Sequence, residues 1–303
     1  MDLRVLRAFV EVVRQGGFSQ AAKVVFATQS TVSKAVRRLE DEIGAPLFDR
    51  LGHRAVLTET GDVVYRRALR ILAERDDLLA EIEELRGLKR GTLRLGLPRI
   101  GSSTLFAPLF ARYRNLYPGV EVRLIESGSD RLEEILLAGE IDLAASLLPV
   151  SDDFEWQSVR VEPLMALLPA RHALAASGHL VPEALQELPF ILFESGFGLN
   201  RIILDFCQRH GFTPAIAARS SQIDFIVGLV AAGLGVAFLP RMIADQTPHD
   251  GVRAIALQDP LTDWHMAMIW RRGGYLSHAA RAWIDILHEV YPAKPESAPI
   301  GRD

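Results

Sequence analysis

One cysteine in 303 residues, Cys207, removes whole classes of chemistry at once. A lone thiol forms no intrachain disulfide and no two-cysteine redox switch, and a disulfide-stapled secreted scaffold is excluded with them. Flanked by Asp205, Phe206 and Gln208, with Arg209 as the only nearby cation, it reads as a small buried apolar residue. No apolar run approaches the roughly 20 residues that span a bilayer, so no membrane partner is expected. The opening MDLRVLRAFVEVVRQ carries charges where a signal peptide keeps a clean apolar core, which places the protein in the cytoplasm. The eight histidines fall into no H-E-x-x-H pattern, and His172 and His179 stand seven apart without a nearby acidic ligand, so no metal is expected. A nucleophile elbow G-x-S-x-G is missing. Gly233-Leu234-Gly235 starts like a dinucleotide loop but lacks the third glycine and precedes a strand, so no cofactor is expected either. These patterns supply no catalytic residues, and an enzyme is the weaker of the readings.

What is present is ordinary soluble material: 49% hydrophobic and 24% charged residues, enough for about two domains. The net charge of −4 is unevenly spread. Residues 1–60 hold nine lysines and arginines against seven acids, a local +2 that leaves −6 for the remainder. A modestly basic module on an acidic body is compatible with nucleic-acid binding, because phosphate contacts depend on local placement.

Within that module, FSQAAKVVFATQSTVSKAVRRLEDEI (18–43) has the pattern of two short helices joined by a tight turn. Ser19 is a candidate N-cap, and Ala22, Val25 and Phe26 recur at the spacing of one helical face. After Ala27-Thr28-Gln29, a second stripe of Val32, Val36, Leu39 and Ile43 continues. Its opposite face carries Gln29, Ser30, Thr31, Ser33, Lys34, Arg37 and Arg38, the amides, hydroxyls and cations that meet base edges and phosphates in a major groove. Leu3 to about Gln15 is a supporting helix ended by Gly16-Gly17. Residues 44–61, GAPLFDRLGHRAVLTETG, follow as a strand, a basic tip with Arg50, His53 and Arg54, and a return strand at Val56–Thr58, which together make a wing.

Across these motifs, residues 1–61 resemble the winged helix-turn-helix of the LysR-type transcriptional regulators. The likeness is carried by LRVLRAFVEVVRQGGFSQAA, QSTVSKAVRRLEDEIGAPLFDR and LTETG. One departure is Thr28-Gln29-Ser30, where many members have Ser-Gln-Pro or Ser-Gln-Ser, and it leaves the preferred DNA sequence open. Thr60 can cap a long helix from about Gly61 to Leu88. Along it Val64, Ala68, Ile71, Leu78, Ile82 and Leu85 form a coiled-coil seam broken only at Arg75; packing back onto its own domain is the alternative. The resemblance implies a linker helix through which two subunits pair, with double-stranded promoter DNA as partner and a dimer of dimers as the assembly. RNA polymerase is a further expected partner.

Beyond a hinge at 87–91 the pattern turns to strands alternating with helices, expected as an α/β arrangement with mostly parallel strands. Strands are expected at Thr92–Leu97, Glu121–Glu126, Asp142–Leu147, Leu164–Leu168, Phe190–Phe193, Gly235–Leu239 and Met266–Trp270. Helices are expected at Thr104–Tyr117, Arg131–Ala138, Leu199–His210, Ile223–Ala232 and Ser277–Val290, and Pro292–Asp303 reads as a loose tail. The expected domains are therefore 1–60, a linker helix at 61–90 and a regulatory domain at 91–303.

Small polar residues recur at the strand ends, where helix N-termini offer unpaired N–H groups to an anion, most naturally a carboxylate. Ser102, Ser103, Ser129, Ser146, Ser195 and Gln222 are the candidates, with Phe197 bounding the site. Helix caps and turns are the competing reading for each one singly. Arg99 and Arg201 read first as solvated surface charges, with neutralisation of a carboxylate as the alternative. The resemblance implies a two-lobed fold similar to periplasmic solute-binding proteins, with a small organic inducer between the lobes. Lobe I would span about 91–161 and 264–303, and lobe II about 162–263. A solute-binding protein without regulatory purpose is the remaining rival, but it would not need residues 1–88.

Overall fold

A computed structural model describes residues 2–49, 55–85, 91–178, 180–257 and 259–292. Arg50, His53 and Arg54 at the wing tip, residues 87–90 of the hinge, His179 and the tail beyond Pro292 lie outside the described residues. The chain divides into two compact units. One is Met1–Lys89 with Ile135–Ile141 and Gly273–Ser277; the other is Arg90–Glu134 with Asp142–Arg272 and His278–Asp303.

In the first unit, α1 (Leu3–Arg14), α2 (Phe18–Val24) and α3 (Gln29–Ile43) precede a two-stranded wing of β1 (Phe48–Asp49) and β2 (Val56–Leu57), and α4 (Glu59–Leu85) follows. Asp2 caps α1 by accepting the Arg4 N–H at 2.9 Å. Leu6, Phe9 and Val10 of α1 meet Ala21 and Ala22 of α2 and Val32, Val36 and Leu39 of α3 in one buried core. Phe48 anchors the wing to it, its ring 5.4 Å from Phe9 and 5.6 Å from Phe18. Two expected caps are corrected. Ser19 lies inside α2, whose N-cap is Gly17 with no side-chain cap bond. The cap of α4 is Thr58 rather than Thr60: its hydroxyl accepts the Gly61 N–H at 2.9 Å and donates to the Pro46 carbonyl at 2.8 Å. Gly61 allows that close seating, since a Cβ there would stand 2.0 Å from the Leu47 carbonyl oxygen.

The second unit runs β3 (Thr92–Leu97), α5 (Ser102–Leu105), α6 (Ala107–Leu116), β4 (Glu121–Glu126), α7 (Ser129–Leu137, whose last turn falls in the first unit) and β5 (Leu143–Leu147). It continues through β6 (Phe154–Glu162), β7 (Leu164–Pro169), β8 (Phe190–Phe193), α8 (Gly198–Arg209), β9 (Ile216–Ser220), α9 (Ile223–Ala231) and β10 (Ala237–Pro240). Then come α10 (Arg241–Gln246), β11 (Val252–Ala256), β12 (Trp264–Arg271) and α11 (His278–Val290). A five-stranded sheet has the order β4-β3-β5-β12-β6, a three-stranded one β10-β7-β11, and β8 pairs with β9. The chain leaves the first sheet at Pro163 and returns to it at Trp264, so two lobes are joined by two crossing strands.

The expectation of mostly parallel strands is corrected here. β3 runs parallel to β4 and β5, and β8 to β9, but β12 is antiparallel to β5 and β6, and β7 is antiparallel to β10 and β11. The parallel pairs β3–β4 and β8–β9 each enclose a helical crossover, whereas β12 and β7 take partners remote along the chain, whose direction no short connection dictates. The helix expected over Thr104–Tyr117 is broken at Phe106. Pro108, near the start of α6, has no N–H to continue the preceding turn. The first lobe's core holds Tyr113 against Trp283 at 5.3 Å, and the Tyr113 hydroxyl donates to the Ala279 carbonyl at 2.9 Å. Burial pushes that phenol up to about 12. Cys207 is buried in α8, and burial pushes its thiol up to about 11.

Candidate nucleic-acid interface and ligand cleft

The geometry of α3 follows from its amphipathic sequence. Val32, Val36 and Leu39 are sunk in the core, so Gln29, Ser30, Thr31, Ser33, Lys34, Arg37 and Arg38 all face solvent. Thr28 is the N-cap, accepting the Thr31 N–H at 3.2 Å, and its hydroxyl also bonds those of Ser30 at 2.9 Å and Thr31 at 2.8 Å. The helix N-terminus thus carries a fan of hydroxyls. Arg38 leans toward Glu42 at 3.6 Å, whereas Lys34 and Arg37 have no ion-pair partner among the described residues. Glu40 turns inward, where its carboxylate accepts the Leu47 N–H at 2.8 Å and ties the helix end to the wing. Hydroxyls and free cations therefore share one convex face, a surface fit to meet base edges and phosphates.

Phe26 breaks the expected pattern. Instead of continuing the stripe of Ala22 and Val25, it sits past the end of α2 with φ +53° and is 98% exposed.

In the second unit the strand-end residues fall into distinct settings. Ser103 and Gln222 line an open cavity of about 420 Å³, with Arg99, Ser221, Asp224, Gln246 and Thr247 among their neighbours. Ile100, Ile223 and Ile243 supply its apolar wall. Thr104 on α5 donates to the Gln246 carbonyl on α10 at 2.9 Å, a bond between the lobes at this mouth. Ser129 and Phe197 instead line a space of about 10 Å³ with Trp264 and Leu147, close to the minimum that admits one water. That side of the cleft is shut. A Cβ on Gly128 would fall 2.1 Å from the Gly196 carbonyl oxygen, so only glycine lets α7 approach the turn before α8 this closely. Ser146 is buried, its hydroxyl donating to Glu133 at 2.5 Å, and Ser102 donates to the Pro98 carbonyl. Ser195 is exposed on the turn between β8 and α8. Phe197 stacks on Phe193 with centroids 5.2 Å apart.

Arg201 is not a solvated surface charge. Its guanidinium donates to the Leu147 carbonyl at 2.8 Å and the Pro149 carbonyl at 3.2 Å, clasping lobe II to the end of β5. Burial raises the nearby Glu133 carboxyl above its ordinary range and Asp130 adds to this, although the Ser146 hydrogen bond and Arg201 oppose it. The residues that sequence reading missed are Asp224, Gln246 and Thr247. The last two stand at the far end of a helix, where no strand-end rule points. Among the described residues no three histidines, cysteines or acids are grouped to hold a metal ion, and no helix is long and apolar enough to cross a membrane.

Comparison with known proteins places both units. Residues 3–62 match the family model described as bacterial regulatory helix-turn-helix protein, lysR family, and residues 86–292 match that of the LysR substrate binding domain. The chain is 36% identical to the HTH-type transcriptional regulator YwbI of Bacillus subtilis, over 94% of this chain and 95% of that one. It is 33% identical to the transcriptional dual regulator GltC of the same organism, over 96% and 98%. Among solved structures, full-length BenM superposes with a TM-score of 0.58 at 24% identity, covering 96% of this chain and 97% of that one. HinK, a LysR family transcriptional regulator from Pseudomonas aeruginosa, gives 0.56 at 26% identity, over 95% and 98%.

Proposed function

The chain belongs to the LysR family of DNA-binding transcriptional regulators with an effector-binding domain, and from that premise we propose how its residues divide the work. Gln29, Ser30, Ser33 and Lys34 read base edges in a major groove of promoter DNA. Thr31, Arg37 and Arg38 serve the same face, and Arg37, with Arg50, His53 and Arg54 of the wing, takes phosphates or the adjoining minor groove. The observation that carries this reading is that Lys34 and Arg37 are exposed beside the hydroxyl fan with no ion-pair partner among the described residues.

A small organic inducer bearing a carboxylate binds in the cleft between the lobes, where Arg99, Ser103 and Gln222 line the open side. Ser129 and Phe197 line its shut side, and Ser102, Ser146 and Ser195 belong to the same inter-lobe segments. Inducer closure rotates the lobes, alters how dimers associate into a dimer of dimers, and so changes the spacing of the DNA-reading helices. The protein acts in the cytoplasm, and RNA polymerase is the partner it meets at the promoter.

Footprinting on genomic fragments tests this directly. Lys34→Ala should cost about 1–3 kcal/mol of binding and relax selectivity at one base position. A loss uniform across all sequences would move Lys34 to the phosphate backbone. Failure of the parent protein to prefer any fragment over bulk competitor at low salt would sink the DNA-reading assignment as a whole.

A further inference from the structure

The open side of the cleft carries two opposite charges, and neither is spent inside the protein. Arg99 and Asp224 both line the cavity of about 420 Å³, both are exposed, and neither has an ion-pair partner among the described residues. That volume is typical of a small-molecule site. We propose that the inducer is a zwitterion of the α-amino-acid class, its carboxylate meeting Arg99 and its ammonium meeting Asp224. The inference rests on reading the cleft as the effector site, and it adds the second charge to that reading.

A charge that loses water on ligand binding must be repaid by an opposite charge or by hydrogen bonds. A plain carboxylate answers Arg99 but brings a like charge into the cavity that Asp224 lines. A plain amine reverses the problem. A dianion meets one cation and one repelling acid, which disfavours sugar phosphates and dicarboxylates without an amino group. A molecule bearing one charge of each sign leaves neither side chain unanswered.

The rest of the lining fits such a guest. Gln222, at the N-cap position of α9, makes no side-chain cap bond and is free to offer its amide. Asp224 lies in the first turn of α9, close to Gln222 in the lining of the same cavity. The Gln246 carbonyl already accepts from Thr104, which leaves its amide N–H groups for an acceptor. Ile100, Ile223 and Ile243 leave an apolar wall for a short side chain.

The test uses full-length protein and measures thermal shift and calorimetric affinity. The probes are the twenty protein amino acids, together with the α-keto acid and the amine related to each. At least one amino acid should bind, with its keto acid and its amine each at least tenfold weaker. Asp224→Asn should abolish the preference over the keto acid, and Arg99→Gln the preference over the amine. A keto acid binding as well as the best amino acid overturns the zwitterion and leaves the cleft assignment standing, as does silence from all three classes while another small molecule binds and responds to Arg99→Gln. An amino acid whose affinity ignores both substitutions and Ser103→Trp overturns the cleft assignment itself.

Discussion

At Phe26 the periodicity of the sequence and the course of the backbone part company. Ala22, Val25 and Phe26 share a helical face on paper, yet α2 stops at Val24 and the Phe26 ring stands almost wholly in solvent at φ +53°. Spacing reports which residues would share a face if the helix continued, and no proline or glycine after Val24 announces that it does not. The left-handed region costs an L-residue with a Cβ about 1–2 kcal/mol, and burial returns nothing here. Asparagine tolerates that region far better. Phe26→Asn is therefore expected to raise the unfolding free energy by about 1 kcal/mol in urea denaturation; a fall would show that the ring makes a contact worth more than the strain. The DNA-facing residues of α3 were legible for the opposite reason. Val32, Val36 and Leu39 fix the helix phase, and that phase alone puts Gln29, Ser33, Lys34 and Arg37 outside.

Elements were legible where local pattern and tertiary environment agree. β3 alternates leucines with other residues and β8 is a short apolar run, and both lie where the pattern puts them. β9 was missed because its residues are mostly exposed, so no alternation marks it, and β6 because a register irregularity in its pairing with β12 interrupts the period. Strand direction was misjudged because a sequence shows how far apart strands are along the chain and not which edge each joins. The cleft shows the same limit. Small polar strand ends were visible, but only the fold sorts them into a shut side at Gly128 and an open side at Arg99. Closure at Gly128 depends on a missing side chain. A Cβ 2.1 Å from a backbone oxygen must drive α7 and the turn before α8 apart. Gly128→Ala should destabilise the fold by roughly 1–3 kcal/mol, the usual cost of overpacking. Thermal unfolding of the variant unchanged from the parent would mean that the lobes separate there at no cost, and the shut side would then be no fixed pivot.

For the whole molecule the decisive surface is α4. The seam expected along it is divided: Ala68 is buried against its own unit, whereas Ile71, Leu78 and Ile82 are 38%, 57% and 36% exposed. Packing back on its own unit accounts for Ala68, Leu69 and Ala73, and it leaves Ile71, Leu78 and Ile82 uncovered. Leu79, 45% exposed, widens the apolar strip. An amphipathic helix of 27 residues does not leave such a strip to water without cost. A second copy offers the same strip, and a two-fold pairing matches it to itself. Pairing also bears on recognition, because two linked α3 helices bind a two-part site with an effective concentration that one helix lacks. Leu78→Glu combined with Ile82→Glu puts like charges on both sides of that junction while leaving the buried residues of α1, α3 and the wing untouched. The variant should sediment as a monomer with an unchanged circular-dichroism spectrum, and its affinity for a two-part operator should fall on the order of 10²-fold. A dimer that persists with its operator affinity intact would show that subunits pair through another surface.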